Sequence, residues 1–233
     1  MGKKEKKPLP PEVVAKLARY TKGEEIFNAV THIVGGAIGV AVLVLAIIFA
    51  VLRSDGLVLM GVIFYGVCMI ILYTMSAIYH FLPVGHAKAV FRIFDHCTIF
   101  LLIAGTYSPI CLFAPLRETG WGWWLFGFVW AAAVLGITFN AINMHNRIVK
   151  IMSQIMYILI GWCAVVAFGV IVKVLPLAFL LMMIAGGVAY TSGVTFYALG
   201  KKKKYFHSIW HLFCLAGTVV HFVAILLFVV IQI

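Results

Sequence analysis

Charge is scarce in this chain, and acidic charge scarcer still: 11% of 233 residues are charged, and only 7 are Asp or Glu against 18 Lys and Arg. With 64% hydrophobic residues and a mean hydropathy of +1.12, the composition excludes a water-soluble domain, which could not hide so much apolar surface in one core. Paired cysteines are also missing. Cys68, Cys97, Cys111, Cys163 and Cys214 form no C-x-x-C and all fall in apolar runs, so neither a disulfide framework nor a cysteine metal site is expected. The first 25 residues lack the apolar core of a signal peptide. No repeat of 20 to 50 residues is visible, and the whole chain reads as one bundle.

What is present is a series of long apolar runs. A hydrocarbon layer about 30 Å thick needs roughly 20 apolar residues per helix, and the chain divides into seven such stretches near 27–52, 57–80, 93–114, 122–143, 148–171, 177–199 and 206–232. The fold expected is all-α, a seven-transmembrane helix bundle over 26–233 behind a polar, partly amphipathic segment, 1–25. That segment, with "LPPE" and "EVVAKLARY", is expected to lie disordered or flat on the inner surface. Small-residue stretches such as "GGAIG" and "IAGGVAY" permit close helix approach in lipid, Pro109 is expected to loosen the third span, and "WGWW" at 121–124 suits an interfacial aromatic belt.

Basic residues in short loops stay on the cytoplasmic side. With the amino terminus cytoplasmic, the inner segments hold seven Lys or Arg before the first span, then Lys88 and Arg92, then Arg147 and Lys150, then Lys201 to Lys204, leaving Arg53, Arg117 and Lys173 outside. The carboxyl terminus is then outside. The net charge of +11 reads as attraction to anionic inner-leaflet lipid in the cell membrane, with no nucleic-acid partner implied.

An ionisable group inside a bilayer costs roughly 2.5 to 3.5 kcal/mol on insertion scales, so each is a functional candidate. Asp95 is the one acid within a span. "HSIWH" puts His207 and His211 one turn apart, a spacing that offers two nitrogens from one helix face to one metal ion. Topology carries His80, at the end of the second span, and Asp95, at the start of the third, to the same membrane edge. Ser76 lies one turn before His80. Ser208 stands where an H-E-x-x-H protease has glutamate, and one histidine pair is too few for a di-iron desaturase. His221 lies fourteen residues beyond His207, roughly 21 Å along the helix, and is expected to make a buried hydrogen bond. His86 and His145 fall in inner loops, and His96 is expected to point away from Asp95. His32 is a candidate outer-shell group. Glu24 and Glu25 are read as favouring a helix amino terminus.

The motifs "NAVTHIVGG", "SAIYH", "FDHCTIFLLIAGTYSP", "IMYILIGW", "GGVAYTSGVTFYALGK" and "YFHSIWHLFCLAGTVVHF" together resemble the bacterial hemolysin III family, within the progestin and adipoQ receptor (PAQR) family. The resemblance covers roughly residues 24 to 230. It implies a zinc centre of Ser76, His80, Asp95, His207 and His211, in which the three histidines bind zinc directly and Asp95 acts through the water the zinc holds. It further implies kinship with ceramidases. Three imidazoles and an open position suit catalytic zinc, so the expected function is zinc-dependent hydrolysis of a lipid amide or ester, with Asp95 as base and Ser76 assisting. A zinc that only clamps the second, third and seventh spans is the structural alternative. A non-catalytic receptor or regulator of membrane fluidity, with membrane lipid as ligand, is the functional one. A pore-forming cytolysin fits less well, since no span carries a polar stripe.

Overall fold

A computed structural model describes residues 8–144, 146–200 and 202–232. His145 and Lys201 therefore lie outside the described residues. Among those described, all regular structure is helical: α1 (Pro11–Leu17), α2 (Lys22–Arg53), α3 (Gly56–Phe81), α4 (His86–Leu112), α5 (Ala114–Arg117), α6 (Trp121–Asn143), α7 (Arg147–Gly161), α8 (Phe168–Val174), α9 (Leu177–Leu199) and α10 (Phe206–Ala224). A 3₁₀ turn over Cys163–Ala167 joins α7 to α8, and α10 continues as a π-helix over Ile225–Ile231. Seven helical segments are long and apolar enough to cross a membrane, α7 and α8 together forming the fifth. This is a multi-pass membrane protein.

Local chemistry sets the helix starts. Thr21 and Glu24 make a capping box on α2, the Asp55 carboxylate accepts from the Leu57 and Val58 amides at the start of α3, and Asn146 caps α7. Asp55 also accepts from Arg117 Nη2 at 3.0 Å, tying the connection before α3 to the one after α4. Helix approach is closest where side chains vanish. A β-carbon on Gly61 would lie 2.6 Å from Cα of Pro109, so α3 seats its backbone on the Pro109 turn of α4. Gly136 of α6 receives the face of the Phe100 ring from α4.

Two differences from the sequence reading matter for the site. The third span starts near His86 rather than 93, bringing Lys88 and Arg92 out of the expected loop and onto a buried helical turn. Lys88 drives this: its ammonium donates to the carbonyls of Tyr79 at 2.9 Å and Leu82 at 3.0 Å, satisfying orphan acceptors at the end of α3. The amino-terminal segment also departs from disorder: Val13 and Leu17 of α1 are buried and cluster with Tyr79, against Ala89 and Phe91. An apolar stripe two residues wide finds a protein surface there instead of a lipid one.

Candidate metal and lipid site

His80 sits in the last turn of α3, and His207 and His211 in the first two turns of α10. One potential ligand atom from each lies within 4.8 Å of the others. All three rings are buried.

The beginning of α2 fixes α10 in this position. Its polar residues recur at helical spacing and meet the start of α10 in register: Glu24 Oε1 accepts from the Tyr205 amide at 2.7 Å, Asn28 Oδ1 from the Ser208 hydroxyl at 2.7 Å, and Thr31 Oγ1 lies 3.3 Å from His211 Nδ1. Thr31 already donates to the carbonyls of Phe27 and Asn28, so it accepts from His211, whose Nε2 keeps its lone pair. Glu25 does the same for His80. Its Oε2 lies 2.6 Å from His80 Nδ1 and its Oε1 2.9 Å from Lys88 Nζ. A carboxylate held by an ammonium can only accept, so Nδ1 carries a proton, and Nε2 is left without a hydrogen-bond partner among the described residues. Nε2 of His211 and Nε2 of His207 stand 3.2 Å apart.

These observations test whether the residues suit zinc. His80 Nε2 and His207 Nδ1 are buried without a hydrogen-bond partner among the described residues. Leaving buried polar atoms unpaired costs about 1–3 kcal/mol each, and here they cluster. Three imidazoles, two of them oriented by a carboxylate or hydroxyl behind, form a donor set of the kind zinc takes.

Residues 20–222 match the family model described as Haemolysin-III related. The chain belongs to that family. It is 35% identical to "Hemolysin-3" of Bacillus cereus over 221 residues, 94% of this chain and 97% of that protein. It is 34% identical to "Hemolysin-3 homolog" of Bacillus subtilis (strain 168), covering 91% and 97%. The human "Monocyte to macrophage differentiation factor" is 26% identical over 173 residues, 69% of this chain and 67% of that one, which supports the wider PAQR grouping.

In this haemolysin-III-related protein a cavity of about 690 Å³ runs beside the histidines. His207, His211, Ser76, Asp95 and His32 all line it, and Tyr20 stacks on His207 with ring centroids 4.7 Å apart. Burial holds the Tyr20 phenol well above its ordinary range, so it remains a neutral donor. Asp95 lies on the cavity face of α4, with Oδ2 3.5 Å from His96 Nδ1. His96 thus turns back toward Asp95 rather than away: its Nδ1 reaches the Arg92 carbonyl at 3.0 Å, which swings the ring toward its neighbour. His32 stacks on His211 at 3.6 Å between centroids, with both nitrogens buried and without a hydrogen-bond partner among the described residues. His221 is remote and meets the Met183 carbonyl at 3.0 Å, the buried hydrogen bond expected for it.

Sequence reasoning missed Glu25, Lys88 and the Glu24, Asn28, Thr31 row. Their spacing was the available signal. Three polar side chains three and four apart at the start of an apolar helix mark a face that must meet other polar groups.

Proposed function

We propose that this protein is a zinc-dependent hydrolase acting on an amide or ester bond of a membrane lipid, with the site at the cytoplasmic end of the bundle. The observation that carries the reading is the buried trio of His80, His207 and His211 beside a cavity that Asp95 and Ser76 also line. The basic residues of the amino-terminal segment and of the run before α10 support the orientation.

His80, His207 and His211 would hold the ion, and zinc so bound supplies Lewis acidity and an acidified water. The protein's own residues do the rest. Asp95 takes the proton of the attacking water on a carboxylate oxygen and returns it to the leaving amine or alkoxide. The Ser76 hydroxyl, which lines the cavity beside Asp95, donates to the oxyanion of the substrate carbonyl. Beyond the polar end the cavity walls include Ile99, Leu102, Ile103 and Ile110, which suit an acyl chain.

The test is turnover of a broad panel of amide and ester lipids by purified protein, with and without chelator. Chelator-sensitive release of fatty acid is expected, and no turnover with any lipid contradicts the reading. Glu25 gives a sharper check on the support behind the metal. Glu25→Gln keeps the shape but loses the charge that fixes the His80 tautomer, and zinc affinity is expected to fall about 10- to 100-fold in a competition titration. An unchanged affinity would show that the carboxylate does not support the metal.

A further inference from the structure

The cavity holds more positive charge than the proposed chemistry uses. Arg19, Arg92, Arg147 and Lys150 all line it, and Asp95 is the one acidic residue that does so. Asp95 faces His96, and no ion pair joins it to Arg92 among the described residues. The other nearby acids are engaged elsewhere: Glu24 with Thr21 and Tyr205, and Glu25 with His80 and Lys88. Arg92 is 7% exposed, yet its Nη1 has no hydrogen-bond partner among the described residues. A guanidinium that is buried, turned to a cavity and short of an acceptor is poised for an anion. Its planar fork matches carboxylate and phosphate oxygens two at a time.

We propose that the lipid bound in this cavity is an acyl amide or ester whose polar part is a short anionic group, a carboxylate or phosphate, held by Arg92 with Arg19 and Arg147. The inference rests on the reading that a lipid occupies the site, and it names the class. Spacing along α4 sets the arrangement. Arg92, Asp95, Ile99, Ile103, Thr106 and Ile110 recur on the cavity-lining face, charged at one end and mostly apolar beyond. Arg92 to Ile110 spans roughly 27 Å at 1.5 Å per residue, close to the roughly 30 Å of a hydrocarbon core. One extended acyl chain follows that stripe. Arg92 lies one turn from Asp95, roughly 4.5 Å along the axis. The anionic group therefore sits only a few atoms from the scissile carbonyl, as in an N-acyl amino acid.

The test compares the binding of N-oleoylglycine with that of its neutral isostere N-oleoylethanolamine, using full-length protein in neutral detergent. Inorganic phosphate serves as the headgroup without a chain. The acid is expected to bind at least about tenfold tighter than the neutral amide, the size of a charge-assisted hydrogen bond or more. Arg92→Gln should shrink that preference below about threefold, chiefly by weakening the acid. Arg147→Gln, on a different helix, should shrink it partly, and gives an independent reading should R92Q fold poorly. Equal binding of acid and neutral amide by the wild type overturns the proposal, as does inorganic phosphate binding as tightly as the acid. Binding is read without turnover, so a protein that selects the acid yet cleaves nothing contradicts the hydrolase and not the headgroup.

Discussion

Replacing His207 with alanine is expected to strip the protein of zinc, with content in purified protein falling from about one ion per chain to less than about a tenth. The size of the effect follows from comparison with weaker perturbations. Partners that merely orient a ligand change metal affinity about 10- to 100-fold, so removing one of three direct ligands should exceed a hundredfold. His207 has no substitute at hand. His32 stacks flat on His211, and a ring packed face to face does not aim its nitrogens where its neighbour's point. His221→Gln is the control, because His221 is bonded to Met183 on α9 and should leave zinc content unchanged. Equal zinc in H207A and wild type would remove His207 from the site.

Asp95→Asn carries the second large effect, and it separates catalysis from clamping. The amide keeps the size of the carboxylate and can still accept a hydrogen bond, but it cannot take a proton. If Asp95 is the base, kcat on the best lipid substrate should fall by about 10² to 10⁴, while zinc content and the thermal midpoint stay near wild type. A zinc that only clamps α3, α4 and α10 together predicts the reverse pattern, with H207A lowering the midpoint and Asp95→Asn changing no activity. Retention of activity within about tenfold in Asp95→Asn would rule out the carboxylate as base.

The seven spans were readable because the bilayer imposes one length on every helix and leaves charge to the breaks. The histidine trio was readable for a related reason. Topology alone carries the end of α3 and the start of α10 to one edge, and H-x-x-x-H puts two rings on one face. What stayed hidden were groups whose roles depend on partners from other helices. Glu25 looked like a favourable charge at a helix start, and only packing brings it to 2.6 Å from His80. Lys88 and Arg92 looked like loop cations, because a charge scale cannot foresee an ammonium satisfying the carbonyls at the end of α3. The break in the fifth span at Cys163–Ala167 has no Pro or Gly within it to announce it; the Ala164 amide there donates to the Tyr107 hydroxyl of α4 at 3.1 Å, a contact that only the fold creates.

X-ray absorption at the zinc edge of the purified protein tests the central claim most directly. The account predicts nitrogen and oxygen neighbours at about 2.0–2.1 Å with the scattering pattern of about three imidazoles, reduced in H207A. A sulfur shell near about 2.3 Å, or protein purified active without zinc, would contradict it.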